Sequence, residues 1–366
     1  MKKLAVAVLA LTFLSLPQAQ ASTSVIRIVD KPHTNFDGTF RNNELAASLL
    51  PNGKLGKLIF GVRPTNTTFV IDASLINEIE NMADGYEFSG KEDVAGQQTA
   101  RNWLFRLRNV VTYNNVVALP YGNPDEKLLK SVAPSELKLY SLFAQTQLQE
   151  TLRRPVIAQN GWGKGTSRLS NEFIYSYSKN RRLLTGLSTI TSSEEIFNAR
   201  ARLAIVMNPL LSREDRAYYS YNQSAAVKAL SNKLRVTPGR YQLTSTTAKL
   251  PITLVNNFDT ASVVSVSLIP MNSRMQVENI NNVIIAPKSR QQILVPVDVI
   301  APGSTLVLAQ FMNTKGQLVG DVSKLNLTAT IIDSRVAWFT TGAAVLLLLG
   351  AVTQSVRRIR RSRNEK

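Results

Sequence analysis

Three aspartates are the strongest candidates for chemistry in this sequence. Asp30, Asp72 and Asp125 stand at or just beyond the ends of the first three predicted strands. If these strands are parallel and belong to a barrel, their carboxyl ends meet at one mouth. Two carboxyl groups that flank a glycosidic bond, one protonated and one ionised, are what glycoside hydrolysis requires. The three aspartates are therefore the candidate catalytic residues.

The same aspartates have a structural interpretation. Asp72 precedes the helical segment ASLINE, and Asp125 precedes EKLL. Aspartate is among the best N-caps because its carboxylate accepts hydrogen bonds from the free amides of the first helical turn. We expect capping first and keep catalysis as the alternative.

Metal and serine-hydrolase chemistry find no support in the sequence. His33 is the single histidine and cysteine is absent, whereas zinc deacetylases of carbohydrates need an aspartate with at least two histidines. A G-x-S-x-G motif is also absent. We expect no metal and no cofactor. His33 lies in a polar loop after the first strand, where it either lines the mouth or is hydrogen-bonded locally.

Aromatic residues near the strand ends are candidates for stacking on sugar rings. Tyr121 lies in YGNP, Trp162 lies in NGWGKG, and Tyr175 follows shortly after. Trp162 stands between two glycines, where neither a core helix nor a core strand is expected, so it either contacts a ligand or packs within its loop. We predict Trp162, Tyr121 and His33 as ligand-binding residues.

The elements that must position these residues follow an alternating pattern. From residue 25 to about residue 234, short β-rich runs alternate with helical patterns, which predicts parallel strands joined by helices. Six strands are fewer than the eight of a complete barrel, so we predict an incomplete (β/α) barrel over residues 22–235, with an open doubly wound sheet as the alternative. The predicted strands are VIRIVD (25–30), TTFVID (67–72), NVVALP (115–120), RPVIAQ (154–159), RRLLTGL (181–187) and ARLAIVMNP (201–209).

After VTPG at residues 236–239 the helical spacing stops. Seven short β-rich runs with turn residues between them occupy residues 240–332. This pattern is typical of an immunoglobulin-like β-sandwich. The predicted fold class is therefore α/β plus all-β.

The two ends of the chain predict its location. Lys2 and Lys3, an apolar run and Ala19-Gln20-Ala21 predict a signal peptide over residues 1–21. The 21 residues from Val336 to Val356 carry no charge and are long enough for a transmembrane helix. Five arginines in the basic tail, residues 357–366, place the C-terminus in the cytoplasm by the positive-inside rule. We predict a single-pass protein of the cell membrane whose bulk is extracellular.

The net charge of the exported part of the chain limits the classes of partner that it is expected to bind. The formal net charge is +18, and residues 22–335 alone hold 35 basic and 24 acidic residues, or +11. No basic run is interleaved with aromatics, so nucleic acid is not an expected partner. Anionic wall polymers, phospholipid headgroups and a lipid-linked phosphorylated glycan fit this charge better. The absence of cysteine excludes disulfides and suggests a bacterial surface.

Six segments of the sequence carry a resemblance to a known family. They are VDKPHTNFDGTFRNNELAASL (29–49), FVIDASLINEIENMADGYEF (69–88), TARNWLFRLRNV (99–110), VVALPYGNPD (116–125), LPITLVNNF (250–258) and VRRIRR (356–361). In this order they resemble a family of uncharacterised actinobacterial membrane-anchored proteins whose genes lie near the gene of the lipid II flippase. The family has no established activity, so the resemblance implies an envelope location and a connection with wall assembly. Members of the family are usually longer, with an extra β-rich region, and Ala73 stands where many have proline.

Two functions remain. The first is a non-catalytic envelope protein that binds a wall glycan or a membrane protein of wall assembly. The second is a glycan-acting hydrolase that uses Asp72 and Asp125. Two carboxyl groups roughly 5 to 10 Å apart in an open cleft would permit hydrolysis, whereas carboxyl groups that each face their own helix start favour the first function, which we prefer.

Overall fold

The computed structural model describes residues 24–61, 67–88, 90–158, 169–330 and 334–363. The predicted signal peptide, residues 1–21, lies outside them. The described chain forms two compact units. The first contains the residues up to 158 together with 207–210, and the second contains residues 169–206 and 211–363.

The first unit is a parallel sheet with helices. Its elements are β1 (Ser24–Ile28), α1 (Glu44–Leu49), α2 (Lys54–Phe60), β2 (Thr67–Asp72), α3 (Ala73–Asp84), β3 (Glu87–Phe88), β4 (Lys91–Glu92), α4 (Val94–Val111), β5 (Asn115–Leu119), α5 (Glu126–Val132), α6 (Pro134–Leu152) and β6 (Ile157–Ala158).

The parallel sheet has the order β1-β2-β5-β6, so each strand pairs with the next parallel strand along the chain. A doubly wound sheet reverses its strand order at a switch point, and these four strands contain no such reversal. The order is that of a curled half-barrel. All six residues of β2 are buried, which makes this strand the centre of the unit.

The predicted apolar helix faces are confirmed in this unit. In α3 the residues Leu75, Ile76, Ile79 and Met82 are buried, at the spacing that places them on one helix face. In α4 the side chain of Trp103 is buried and its Nε1–H donates to the carbonyl of Leu55 at 3.2 Å. This bond satisfies the indole nitrogen inside the core.

The second unit combines three helices, a β-sandwich and a terminal helix. Its elements are α7 (Asn171–Leu187), α8 (Glu194–Arg202), a 3-10 helix (Leu203–Met207, of which Met207 belongs to the first unit), α9 (Arg213–Ser231), β7 (Leu234–Val236), β8 (Gly239–Leu243), β9 (Thr247–Asn256), β10 (Ser262–Pro270), β11 (Met275–Val277), β12 (Ile280–Ile285), β13 (Ser289–Val299), β14 (Gly303–Met312), β15 (Leu318–Ala329) and α10 (Ser334–Arg363).

Two of the six predicted strands are wrong. Residues 181–187 form the end of α7, and residues 201–209 fall at the end of α8, in the 3-10 helix and just beyond it. Tyr177, Asn180, Leu184 and Leu187 are buried at helical spacing. The run RRLLTGL contains only the last two of them, so it is too short to show this spacing. A short apolar run cannot be assigned to strand or helix by periodicity alone.

The predicted sandwich is confirmed. One sheet has the order β12-β10-β14-β15-β8 and the other β11-β13-β9-β7. Along β14 the residues Thr305, Val307, Ala309 and Phe311 are buried at every second position, as expected for a strand with one face in the core. All seven predicted runs contain strands, and β7 and β11 are additional.

Helices α7 to α9 group with the sandwich, whereas the sequence predicts that they belong to the α/β domain over residues 22–235. The loop after α7 contacts β10 directly. The amide of Val263 donates to the carbonyl of Ile190 at 2.9 Å, and Thr191 forms an isolated antiparallel bridge with Ser262. These backbone contacts explain why the division lies before α7 rather than near residue 237.

Helix α10 includes the predicted transmembrane segment, residues 336–356. The side chains of residues 336, 337, 339 and 340 lie outside the described ones. Among the described residues, no helix combines the length and the apolar character needed to cross a bilayer.

Candidate functional site

Asp72 ends β2 and caps α3. Its Oδ1 accepts a hydrogen bond from the amide of Ser74 at 3.0 Å, and its Oδ2 accepts one from the Ser74 hydroxyl at 2.8 Å. Oδ1 also accepts the amide of Gly122 at 3.0 Å. Gly122 has φ +79°, a conformation that glycine adopts without strain. The carboxyl group of Asp72 therefore joins the start of α3 to the turn after β5.

Burial dominates the ionisation of Asp72. The side chain is 1 % exposed, and this desolvation raises its pKa to about 7 even though hydrogen bonds from Ser74 and Gly122 favour the charged form. The negative charge of Glu78 raises the pKa further. Asp72 thus has a pKa in the range of an acid–base group, but its carboxyl group is buried and bonded to two backbone amides.

Asp125 caps α5 in the same way. Its Oδ1 accepts the amide of Leu128 at 3.1 Å, and its own amide donates to the carbonyl of Met207 at 3.0 Å. The side chain is 2 % exposed. Asp72 and Asp125 each face the start of their own helix, which is the arrangement that disfavours a hydrolytic pair.

Asp30 and His33 lie together after β1. Nε2 of His33 is 3.9 Å from Oδ2 of Asp30, too far for a hydrogen bond, and Nζ of Lys54 is 2.7 Å from Oδ1 of Asp30. Burial by itself raises the pKa of Asp30, but the neighbouring His33 and the Lys54 ammonium outweigh it and lower the pKa to about 2. Asp30 is therefore an ionised partner of Lys54.

His33 is buried and points inward. Burial lowers the pKa of its imidazole, but the carboxyl groups of Asp30 and Glu78 outweigh this effect, so the pKa is raised. Nδ1 lies 3.5 Å from Oδ1 of Asn42. The expectation that His33 is hydrogen-bonded locally fits this geometry better than a position at an open mouth.

Glu78 is a structural carboxylate that is not among the residues predicted from the sequence. It lies on α3 and accepts the amide of His33 at 3.0 and 3.1 Å, the amide of Thr34 at 3.0 Å and the Thr34 hydroxyl at 2.7 Å. The signal was available, because position 78 falls on the apolar face between Leu75 and Met82. A charged residue on a buried helix face is expected to have partners.

Tyr121 does not offer a face to a sugar. Its side chain is buried and lies edge-on against Phe143, with 4.8 Å between ring centroids. Its hydroxyl accepts a hydrogen bond from Nδ2 of Asn77 at 3.4 Å. Tyr121 is a core residue of the turn after β5, whereas the sequence predicts that it binds a ligand.

The other two aromatic candidates are placed differently. Trp162 lies outside the described residues. Tyr175 lies on α7 in the second unit, where its side chain is 67 % exposed.

Aliphatic side chains of the two central strands pack together in the sheet. Val70, Val117 and Leu119 form an aliphatic cluster against which Val29 packs, and the polar groups around it serve caps and loop contacts. Within the described ranges, no group of three or more histidine, cysteine or acidic side chains is arranged to hold a metal ion. The carboxyl edge of the sheet as a whole positions α3, α5 and the loop after β1.

Sequence and structure comparisons give one match to a family. Residues 137–364, more than half of the chain, match the profile of a family of unknown function, DUF6049. No curated protein is significantly similar in sequence.

Three solved structures each resemble about a quarter of the chain. Escherichia coli α2-macroglobulin is 14 % identical with a TM-score of 0.22, over 27 % of this chain and 6 % of its own. A Caenorhabditis elegans MSP family member is 13 % identical with a TM-score of 0.21, over 27 % of this chain and 98 % of its own. The CARDB domain of a Pyrococcus furiosus protein, solved with two metal ions, is 12 % identical with a TM-score of 0.21, over 27 % of this chain and 96 % of its own.

Proposed function

The chain belongs to the family of unknown function DUF6049, and we propose that it is a single-pass cell-envelope protein. In this proposal its extracellular part binds a wall glycan or a membrane protein of wall assembly and performs no catalysis. The observation that carries the proposal is the apolar surface of α10. The arrangement of the aspartates and the charge of the chain support it.

The apolar residues of α10 are exposed to solvent. Leu346, Leu347, Leu348 and Leu349 are 55 to 76 % exposed, and contiguous exposed apolar surface is typical of sites that contact lipid or another protein. The predicted span 336–356 is uncharged and is followed by five arginines. A bilayer with the arginines on its cytoplasmic side accounts for both features.

The capped aspartates support binding without catalysis. A hydrolase that used Asp72 and Asp125 would need both carboxyl groups in contact with substrate. Both are almost fully buried and hydrogen-bonded to helix amides. Their roles as caps explain their presence without an enzymatic function.

The link to the wall has two supports. Residues 22–335 carry a net charge of +11, which favours anionic polymers and phosphorylated glycans. The resemblance of six segments to actinobacterial envelope proteins encoded near the lipid II flippase favours a role in wall assembly.

Membrane anchoring is tested by truncation. The full chain should sediment with membranes, resist extraction by high salt and dissolve in detergent, whereas a chain that ends at residue 333 should be released. Protease added to cells stripped of their wall should digest the body and leave a protected C-terminal stub. Membrane association of the truncated chain, or full protection of the body, would contradict the proposal.

Wall binding is tested with purified wall. The chain should co-sediment with isolated wall and bind less after the anionic polymers are removed. Asp72→Asn and Asp125→Asn should bind equally well, because asparagine still caps a helix. Release of sugars by the wild-type chain that is lost in these folded variants would show a hydrolase instead.

A further inference from the structure

A groove of about 230 Å³ lies between α7 and β15 in the second unit. Tyr175, Lys179, Arg182 and Gly186 line it from the helix, and Val319 and Gly320 are among the residues that line it from the strand. Its walls thus combine an aromatic ring, two cations and small or aliphatic residues.

The helix residues of the groove share one face of α7. Positions 175, 179, 182 and 186 are separated by four, three and four residues, which is the spacing of neighbours on a helix surface. Tyr177, Leu184 and Leu187 on another face of α7 are buried. The groove face is therefore a separate surface and does not belong to the core face.

The two cations are available to a ligand. Lys179 and Arg182 are exposed, and neither forms an ion pair within the described part of the chain. They are one helical turn apart, so both can contact the same anion. Arginine and lysine are the common ligands of phosphate groups, arginine through two parallel hydrogen bonds.

The ring of Tyr175 lies one turn before Lys179 on the same face. Exposed aromatic rings next to polar groups favour ligands that have an apolar face and a charged end. The absence of a side chain at Gly186 and Gly320 leaves space beside the cations. At Gly320 the backbone has φ +78°, so a larger residue would be strained there.

The size of the groove limits the ligand. At about 230 Å³, the groove can cover a group of the size of one sugar ring, or one phosphate with part of a ring. A whole oligosaccharide would extend out of it.

The position of the groove along β15 favours a ligand of the wall over a lipid headgroup. Val319 is at the start of β15 and Ala329 at its end, about 30 Å apart at the rise of a strand. Helix α10, the proposed anchor, begins at Ser334, shortly after the far end.

We propose that this groove binds a phosphorylated sugar unit of an envelope glycan, with the phosphate between Lys179 and Arg182 and the sugar ring against Tyr175. Only one part of this inference rests on the proposed function, namely that the sugar comes from the cell envelope. No bond is made or broken in this step.

The test is calorimetric titration of the full chain in neutral detergent with three soluble probes. N-acetylglucosamine 1-phosphate should bind at least about tenfold more tightly than N-acetylglucosamine, because of the charge-assisted contacts. It should also bind more tightly than glycerol 3-phosphate, which carries the phosphate of a lipid headgroup without a ring. Equal affinity for the two phosphates would overturn the sugar assignment.

Matched variants separate the groove from general electrostatics. Lys179→Gln and Arg182→Gln should each weaken binding of the sugar phosphate about tenfold. Lys249→Gln and Arg290→Gln remove the same charges from exposed positions on β9 and β13, and they should leave the affinity unchanged. An equal loss in these controls, or no loss in the groove variants, would overturn the proposal.

The ring contact has its own pair of variants. Tyr175→Ala should reduce the affinity for the sugar phosphate to that for glycerol 3-phosphate. Tyr221→Ala, at an exposed position of α9, should change neither. Because both tyrosines are exposed, the melting temperature should stay the same. An unchanged affinity in folded Tyr175→Ala would contradict the ring contact.

Failure here and failure of the proposed function can be told apart. Failure of the wild-type chain to sediment with membranes contradicts the envelope role and leaves the binding of the soluble sugar phosphate as measured. Absence of sugar phosphate binding contradicts the groove assignment and leaves the anchor unaffected.

Discussion

Asp72 links three parts of the first unit through one carboxyl group. It ends β2, caps α3 and holds the amide of Gly122. Hydrogen bonds stabilise the ionised form of Asp72, whereas burial removes the water that would solvate its charge. Burial is the larger effect, so the pKa rises to about 7. The folded protein therefore binds a proton at Asp72 under conditions where the unfolded chain has released it.

This pKa predicts a pH effect on stability. A carboxyl group whose pKa is raised from 3.8 to about 7 on folding stabilises the fold most at low pH, and this contribution is lost as the pH rises from about 4 to about 7. Asp72→Asn keeps a capping oxygen and does not titrate, so its stability should fall less over the same range. Chemical denaturation at pH 5 and at pH 8 checks this, and equal pH dependence in both proteins would contradict it.

Removal of the Glu78 carboxylate should also lower the stability of the first unit. Glu78→Ala leaves the amides of His33 and Thr34 and the Thr34 hydroxyl without their buried acceptor, so the free energy of unfolding should fall by about 2–4 kcal/mol. The control is Glu44→Ala, which removes a surface ion pair with Lys31 and should cost less than about 1 kcal/mol. Urea denaturation of both variants measures the difference, and similar costs would show that the loop after β1 is held by other contacts.

Helices α1 and α2 approach each other closely at Gly56. A Cβ atom there would lie 1.8 Å from the carbonyl oxygen of Leu50, a backbone atom that cannot rotate away. Gly56→Ala should therefore destabilise the first unit by more than about 2 kcal/mol. Gly61→Ala, at the end of α2, brings Cβ to 3.2 Å from the nearest atom, the oxygen of Lys57, and should change stability by less than about 1 kcal/mol. Thermal unfolding of the two variants measures the difference. An unchanged melting temperature in Gly56→Ala would contradict the prediction and would mean that α1 moves to make room for the methyl group.

At the scale of elements, the sequence predicts those helices and strands whose apolar residues recur at a regular spacing over many positions. The apolar faces of α3 and α4 and the seven sandwich runs repeat their apolar residues at helix or strand spacing, so the sequence predicts them. The runs at 181–187 and 201–209 are short and apolar, and their true period is visible only with Tyr177 and Asn180 included. Packing of α7 against the sandwich decides their structure, and a local window does not contain that contact.

The candidate site shows the same limit. The sequence predicts that Asp72 and Asp125 cap helices, because the signal is local, and the bonds to Ser74 and Leu128 agree. It does not predict that Tyr121 is buried, because its contact with Phe143 joins distant parts of the chain. Nor does the sequence predict the cation pair of the groove, because Lys179 and Arg182 line it with residues of β15 that lie more than a hundred residues later.

At the scale of the whole molecule, the contacts between the sandwich and the helices before it predict which part of the second unit can fold alone. The amide of Val263 donates to Ile190, Thr191 pairs with Ser262, and β7 pairs with β9, so the sandwich uses backbone partners that lie before residue 237. A fragment of residues 169–330 should unfold cooperatively. A fragment of residues 237–330 leaves these groups unpaired and exposes the apolar surface under α7, so it should unfold at a lower temperature or lose its cooperative transition. Circular dichroism and calorimetry of the two fragments measure this, with the full chain in detergent as the reference. Equal melting temperatures would contradict the grouping of the helices with the sandwich and would favour the boundary near residue 237 that the sequence predicts.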